Sequence, residues 1–268
     1  MKICMMSYTM SRQGFSPEEI VGATSDLGIK AIDWLTCCGY KPVDIQKMCN
    51  DAGIEIPCYT FFAEKLLAGE ENWLDEIKYS IGDALTLKAK TIMIPTGVNA
   101  SIVRSEFTSF WIEALKKVMP ICKAMDITLT VENYPGKHSA FVTADDFITA
   151  RNELPDLKLT FDNGNAASGE NPVDSLLQCK DDIVHVHFKD WYIRNEYHEG
   201  YQQMLDGRFY KPALIGQGDI PTVECLEALE QIDYQGYINI EYESSDIPAK
   251  KAIAQAVNYL KSHSNKIE

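Results

Sequence analysis

The sequence predicts an α/β fold, a (β/α)8 TIM barrel formed by a single domain, and three observations support this prediction. The chain has 268 residues, which is close to the roughly 250 residues typical of one such barrel. Eight short apolar segments rich in β-branched and aromatic residues recur along the chain, with helical patterns between them. No linker rich in serine, proline or glycine interrupts the alternation, so we expect residues 1–268 to form one domain.

The eight apolar segments have the composition of parallel strands that are buried on both faces. In chain order they are residues 3–8, 31–35, 55–59, 91–95, 127–132, 157–162, 183–189 and 237–242. No glycine-rich nucleotide-binding motif follows any of them, and a closed barrel is therefore favoured over an open nucleotide-binding sheet.

The connections between these strands carry helix start and stop signals. Ser16 precedes Pro17 and two glutamates, which is typical of an N-cap and a first turn, and Gly28 ends this helical pattern. Further helices are predicted for residues 72–87, 106–125, 143–154, 222–231 and 248–260. Between the sixth and seventh strands, the Asn171-Pro172 pair indicates only a short helix.

One connection, from Asp190 to Pro221, is unusually long and rich in aromatic residues. A segment of this length without secondary structure is uncommon inside a compact domain and is usually functional or disordered. Its aromatic side chains lead us to expect a lid over the functional site.

Net charge and cysteine spacing indicate the partners and the compartment. A formal net charge of -14, without a cluster of lysine and arginine, repels polyanions, so we expect no nucleic acid partner. A small phosphorylated ligand stays compatible with this charge, because a cleft can be locally positive. The eight cysteines include no Cys-x-x-Cys pair, which is typical of reduced thiols. Without a signal-peptide core or a run of about 18 apolar residues, we expect a cytoplasmic protein and no membrane partner.

Polar residues close four consecutive strands of the second half of the chain. These residues are Glu132, Asp162, His187 and Glu241. In a barrel of this type the carboxyl ends of the strands build the active site. Three buried carboxylates beside a histidine cost several kcal/mol unless a cation lies among them. The pattern therefore predicts a divalent metal site that suits Mn²⁺ and is compatible with Mg²⁺, Co²⁺ or Zn²⁺.

The segments around these positions resemble the xylose isomerase-like TIM barrels, which include sugar isomerases and epimerases. The resemblance covers essentially the whole chain and is carried by residues 131–133, 187–190, 216–220 and 236–241. It implies one divalent metal ion, with manganese expected first, held by Glu132, Asp162, His187 and Glu241. It also implies that Glu132 and Glu241 are catalytic: one removes a proton next to a metal-polarised carbonyl and the other returns it.

Five further residues are candidates for substrate binding, namely Asn165, His185, Lys189, His138 and Arg194. Asn165 departs from the family pattern, because the ketose 3-epimerases that resemble this chain carry a histidine at that place. This departure weighs against a plain ketose 3-epimerase. His185 has the alternative of a buried role behind His187, Lys189 that of an ion pair with Asp190, and His138 that of simple exposure to solvent.

The expected function is a metal-dependent isomerase or epimerase acting on a small sugar, sugar phosphate or keto-sugar. A lyase or dehydratase is the alternative, because the same metal and carboxylate pair can eliminate water after proton removal. An abasic-site endonuclease is disfavoured by the acidic charge and by only 5 histidines, and a non-catalytic sugar-binding barrel by the presence of both glutamates. The expected partner is a small carbohydrate, and a homo-oligomer is left open.

Overall fold

Eleven strands are present in the computed structural model, which describes residues 1–267. They are β1 (Lys2–Met6), β2 (Ile32–Leu35), β3 (Cys58–Thr60), β4 (Thr91–Ile94), β5 (Thr128–Glu132), β6 (Lys158–Asp162), β7 (Ile183–Phe188), β8 (Asp190–Arg194), β9 (Gln202–Gln203), β10 (Phe209–Ala213) and β11 (Tyr237–Ile240). All except β8, β9 and β10 form a closed parallel barrel, and each barrel strand overlaps one of the eight predicted strands. The predicted fold class is confirmed.

The order of strands around the barrel determines which side chains can meet. The strands run β1-β11-β7-β6-β5-β4-β3-β2, and β1 pairs in parallel with both β11 and β2 to close the ring. The four strands with polar ends, β5, β6, β7 and β11, are therefore consecutive neighbours. β1 and β5 lie on opposite sides of the barrel, four positions apart.

Helices surround the barrel. They are α1 (Ser7–Ser11), α2 (Pro17–Asp26), α3 (Pro42–Asp51), α4 (Glu64–Leu67), α5 (Trp73–Leu87), α6 (Arg104–Ala124), α7 (Ala144–Glu153), α8 (Asn163–Ala166), α9 (Pro172–Cys179), α10 (Thr222–Gln231) and α11 (Ala249–His263). A capping box formed by Ser16 and Glu19 begins α2, as the start signal there indicates. The short α9 is also as predicted, whereas α3 lacks a side-chain N-cap and was not predicted.

The segment from Asp190 to Pro221 is not an irregular loop, so that part of the prediction was wrong. Its strands β8, β10 and β9 form a three-stranded antiparallel sheet in that order. The aromatic residues stabilise it, because Trp191 and Tyr210 are buried with their ring centroids 6.3 Å apart. We call the segment from Asp190 to Ala213 the excursion sheet.

The expected reduced cysteines agree with the structure. All eight cysteines are free thiols, and only Cys38 is exposed. In the part of the chain that the structure describes, no helix is long and apolar enough to cross a membrane.

Candidate metal centre and active site

Four side chains meet at the carboxyl ends of neighbouring barrel strands. Glu132 and Asp162 are the last residues of β5 and β6, His187 lies in β7, and Glu241 directly follows β11. Each offers one ligand atom, and these atoms all lie within 4.8 Å of one another. All four residues are buried. The structure thus brings together the complete predicted ligand set, which we call the metal cluster.

Three atoms of the metal cluster are buried without a hydrogen-bond partner. They are Oδ2 of Asp162, Nδ1 of His187 and Oε2 of Glu241. Nδ1 of His187 lies 3.0 Å from Oε1 of Glu132 and 3.4 Å from Oε2 of Glu241. Buried acceptors that make no hydrogen bond are costly unless a cation lies beside them; the ammonium group of Lys189 lies near the two oxygens but not beside Nδ1 of His187. The cluster can therefore hold a divalent metal ion, and its oxygen and imidazole donors fit Mn²⁺, Mg²⁺, Co²⁺ and Zn²⁺.

Lys189 supplies one positive charge beside the metal cluster. Its Nζ lies 3.3 Å from Oδ2 of Asp162 and 3.1 Å from Oε2 of Glu241, and it donates a hydrogen bond of 3.3 Å to Glu243. Three carboxylates, those of Asp162, Glu241 and Glu243, thus contact a single ammonium group, and the carboxylate of Glu132 lies in the same cluster. A divalent cation would bring this group of charges close to balance.

The environment pushes the carboxyl pKa values in this site apart. Burial raises the pKa of Asp162 well above its usual range, and the nearby Lys189 only partly opposes the rise. Burial also acts to raise the pKa of Glu241, but Lys189 and His187 outweigh it and lower that pKa to about 2. A cation bound between these two carboxylates would favour the ionised form of both, as Lys189 already does for Glu241.

A buried carboxylate of β2 supports His187 from behind. Oδ2 of Asp33 lies 3.1 Å from Nε2 of His187 and 3.0 Å from Nε2 of His185. Thr60 donates a 3.0 Å hydrogen bond to Oδ1 of the same carboxylate, and Nδ2 of Asn239 lies 3.4 Å from Oδ2. With Nε2 bonded to Asp33, Nδ1 of His187 is the ring nitrogen free to bind a metal.

Sequence reasoning missed Asp33 and Glu243. Asp33 is the only charged residue in an otherwise apolar strand and is fully buried, a placement that requires a partner. Burial acts to raise its pKa, but hydrogen bonds from the two histidines outweigh burial and hold the pKa of Asp33 well below its usual range. The sequence signal that could have identified Glu243 as a site residue is its position two residues after Glu241.

Two adjoining spaces lie at this end of the barrel. The inner cavity, of about 130 Å³, is lined by Met6, Tyr8, Leu35, Thr60, Phe62, Met93, Pro95, Glu132, Tyr134, His187, Lys189, Glu241 and Glu243. The outer cleft, of about 480 Å³, is lined by Tyr8, Arg12, Val98, Tyr134, Pro135, Gly136, Lys137, His138, Trp191, Gly200, Gln202, Gln203, Met204, Tyr210, Pro212 and Glu243. Because Tyr8, Tyr134 and Glu243 line both, the outer cleft is the approach to the inner cavity, and the excursion sheet forms one of its walls.

Of the five predicted substrate-binding residues, two line these spaces, one lies at the surface and two are buried beneath the metal cluster. Lys189 lines the inner cavity and His138 lines the outer cleft. Arg194 is exposed at the end of β8, with Nη1 3.6 Å from a carboxylate oxygen of Asp219, and lines neither space. An ion pair between Lys189 and Asp190 is absent from residues 1–267, because Asp190 accepts hydrogen bonds from backbone N–H groups instead.

The other two predicted residues lie beneath the metal cluster. His185 is buried behind His187, where it contacts Asp33. The backbone N–H of Asn165 donates a 2.7 Å hydrogen bond to Oδ1 of Asp162. The Asn165 side chain is fully buried, and both of its amide atoms lack a partner.

One curated protein shows recognisable sequence similarity to this chain. It is an uncharacterized protein of Methanocaldococcus jannaschii that is 27% identical over 174 residues, a match covering 62% of this chain and 55% of the relative. The match therefore spans only slightly more than half of that relative's length.

Several solved structures share the fold over nearly the whole chain. The IolI protein, solved with a bound zinc atom, has a TM-score of 0.80 at 18% identity and covers 99% of each chain. The probable 3-DHS dehydratase AsbF of Bacillus anthracis has a TM-score of 0.78 at 17% identity, covering 97% of this chain and 99% of AsbF. D-psicose 3-epimerase of Clostridium cellulolyticum H10, solved with D-tagatose, has a TM-score of 0.75 at 12% identity, covering 98% and 99%.

A family model provides the assignment that these distant similarities do not. The model described as xylose isomerase-like TIM barrel matches residues 21–263. This range includes all four residues of the metal cluster. It also includes every residue that lines the two adjoining spaces except Met6, Tyr8 and Arg12. Together with the closed eight-stranded barrel, this match shows that the chain belongs to the xylose isomerase-like TIM barrel family.

Proposed function

We propose that this protein is a divalent-metal-dependent isomerase or epimerase of a small sugar, sugar phosphate or keto-sugar. One observation carries the proposal. Glu132 and Glu241 line the same inner cavity, and an oxygen of each lies within 3.4 Å of Nδ1 of His187, a buried atom without a hydrogen-bond partner. Two carboxylates beside a metal-binding position are the groups that proton transfer next to a carbonyl requires.

The mechanism divides the chemistry between the metal and the chain. A divalent ion held by Glu132, Asp162, His187 and Glu241 would polarise a substrate carbonyl and acidify the neighbouring C–H bond. One of the two glutamates accepts the proton from that carbon, and the other glutamate donates a proton to the resulting enediolate. Donation to the opposite face of the same carbon gives an epimer, and donation to the neighbouring carbon gives an aldose or ketose isomer.

Lys189 has a different task in this mechanism. Its ammonium group lines the inner cavity and remains charged, because the surrounding carboxylates outweigh burial and hold its pKa well above the usual range. Lys189 therefore donates hydrogen bonds to substrate oxygens and stabilises the negative charge that develops during proton transfer.

The family relatives support the finer parts of the proposal. The IolI structure holds zinc, and D-psicose 3-epimerase was solved with a ketose. We propose manganese as the first candidate metal, with zinc, cobalt or magnesium as alternatives, and a small carbohydrate as the partner. A cytoplasmic location and a homo-oligomer stay predictions.

A dehydratase is the second candidate, and the similarity to the probable 3-DHS dehydratase AsbF favours it. When one glutamate removes the same proton and the other protonates the hydroxyl group on the next carbon, that group leaves as water and a double bond forms between the two carbons. The two reactions differ in their products, because an isomerase conserves the mass of the substrate and a dehydratase product lacks one water.

Solvent deuterium tests the proposal. Metal-loaded protein is incubated in D2O with a panel of ketoses, sugar phosphates and keto-acids, and mass spectrometry follows both deuterium and product mass. Deuterium should enter the carbon next to the carbonyl with wild type and with Glu227→Gln, an exposed control, but not with Glu132→Gln or Glu241→Gln. Equal incorporation in all four proteins would exclude the glutamate pair.

A further inference from the structure

The inner cavity is too small to enclose most substrates of the proposed class. Its volume of about 130 Å³ lies below the roughly 300 Å³ at which ordinary ligand pockets begin. The outer cleft, at about 480 Å³, lies within that ordinary range. A sugar whose reacting end is at the metal cluster therefore extends between Tyr8 and Tyr134 into the outer cleft, and the residues there recognise its far end.

The outer cleft is positively charged, unlike the chain as a whole. Its lining includes Arg12 and Lys137, and its only acid is Glu243, which already accepts a hydrogen bond from Lys189. Within residues 1–267, neither Arg12 nor Lys137 forms an ion pair or a side-chain hydrogen bond. In a protein with a net charge of -14, two uncompensated cations in one cleft favour a negatively charged ligand.

Arg12 is exposed and packs on an aromatic ring without using its hydrogen-bond donors. It is the C-cap residue of α1, and its guanidinium carbon lies 5.5 Å from the centroid of the Tyr8 ring. Packing on an aromatic face at an exposed site weakly stabilises one position of a guanidinium group and leaves its N–H donors free. Because Tyr8 also lines the inner cavity, these donors lie beside the route to the metal cluster.

Lys137 approaches the outer cleft from the other side of the barrel. Arg12 follows β1 and Lys137 follows β5, and these strands are opposite each other in the ring. The inner end, in contrast, carries the carboxylates of the metal cluster. An anionic group on the substrate is attracted to the two cations of the outer cleft, so the charge distribution favours binding with that group outward.

We propose that the outer cleft is a binding site for an oxyanion, a phosphate or a carboxylate, carried by the substrate at the end remote from the reacting carbonyl. The guanidinium group of Arg12 binds the oxyanion through paired N–H donors, and the ammonium group of Lys137 adds a second positive charge from the opposite wall. That the inner end is the reacting end rests on the proposed function. The oxyanion site itself requires no turnover.

Calorimetric titration of metal-loaded protein tests the proposal with three matched ketoses: D-fructose, D-fructose 6-phosphate and D-fructuronate. At least one of the two anions should bind wild type about tenfold or more tighter than D-fructose, and which one distinguishes a phosphate site from a carboxylate site. Arg12→Gln should weaken binding of that anion by about tenfold and change D-fructose binding less than twofold. Lys137→Gln should act in the same direction with a smaller effect, because lysine offers a point charge.

Lys251→Gln is the matched control, because it removes the same charge from an exposed side chain that lines neither space. It should leave all three affinities unchanged. Equal affinity of wild type for the neutral and anionic ketoses, or equal losses in Arg12→Gln and Lys251→Gln, would overturn the proposal.

The outcomes separate this proposal from the proposed function. Anion binding that depends on Arg12, without deuterium exchange in any ketose, would support the oxyanion site and contradict the isomerase. Exchange in a neutral ketose, without preference for the anions, would support the isomerase and contradict the oxyanion site.

Discussion

Nε2 of His187 lies 3.1 Å from Oδ2 of Asp33, so a buried carboxylate supports the metal cluster from behind. Because an ionised carboxylate only accepts hydrogen bonds, Nε2–H of His187 is the donor to Asp33, and this leaves Nδ1, beside Glu132 and Glu241, as the ring nitrogen that can bind a metal. The same Asp33 oxygen also contacts His185. One carboxylate of β2 therefore orients both histidines of β7.

Asp33→Asn is expected to weaken metal binding by about 10- to 100-fold, the usual cost of removing the hydrogen-bond partner of a ligating histidine. Asparagine has nearly the same shape as aspartate but lacks the negative charge that makes the His187 imidazole a stronger metal ligand. Competition against a metal chelator measures the change. Asp44→Asn, at an exposed position of α3, is the control and should leave the metal affinity unchanged. An unchanged affinity in Asp33→Asn would show that other contacts orient His187.

Lys189→Met is expected to strengthen metal binding by about tenfold, since the ammonium group and the metal share the carboxylates of Asp162 and Glu241. Without metal, the variant should unfold at a lower temperature than wild type, because its carboxylates lose their cation. Thermal melts at increasing metal concentration measure both effects. Lys251→Met, an exposed control, should match wild type, and a weaker metal response in Lys189→Met would contradict the shared-carboxylate geometry.

Gly164→Ala is expected to reduce turnover by about 10- to 100-fold through displacement of Lys189. A Cβ at position 164 would lie 2.5 Å from Cγ of Lys189 and 2.7 Å from Nε1 of Trp191, so both side chains, or the backbone at position 164, must move. Steady-state kinetics measure the loss.

Gly82→Ala is the matched control for that variant. No atom lies within 4 Å of the added Cβ, and Gly82 lies inside α5. It should keep full activity and raise the free energy of unfolding by about 0.5–1 kcal/mol, because alanine favours a helix over glycine. Normal kinetics in Gly164→Ala would mean that the position of Lys189 is not required.

Asp190→Ala is expected to lower the free energy of unfolding by about 2–4 kcal/mol. The buried carboxylate accepts hydrogen bonds from the backbone N–H groups of Trp191, Gly216, Gly218 and Ile220, at 2.8 to 3.1 Å. Its removal leaves these donors without a partner. Urea unfolding measures the change, with Asp181→Asn as an exposed control. A loss below about 0.5 kcal/mol would contradict a structural role for Asp190.

Much of the fold and of the metal cluster could be predicted from the sequence, for a physical reason. Buried parallel strands have a distinctive apolar composition, and an ionisable residue at the end of such a strand stands out because burial without a partner is costly. Glu132, Asp162, His187 and Glu241 all have this signature. The closed ring then brings them together, since their strands are neighbours.

The residues that were missed depend on contacts between distant parts of the chain. Asp33 has its partners on β3, β7 and β11, and local sequence does not encode these pairings. The excursion sheet is held by β8 and β10, which are separated by 14 residues and lack a strictly alternating pattern. The proposed role of Arg12 in anion binding depends on its contact with Tyr8 and on Lys137 across the barrel. Only the closed strand order shows that Arg12 and Lys137 line one cleft.

The metal content of the purified protein tests the central claim most directly. After dialysis against Mn²⁺ and removal of free metal, elemental analysis of wild type should give about one divalent ion per chain. His187→Ala and Glu241→Gln should lose most of it, and Glu227→Gln should keep it. A wild-type protein that binds no Mn²⁺, Zn²⁺, Co²⁺ or Mg²⁺ after reloading would contradict the four-residue metal centre and the isomerase proposal built on it.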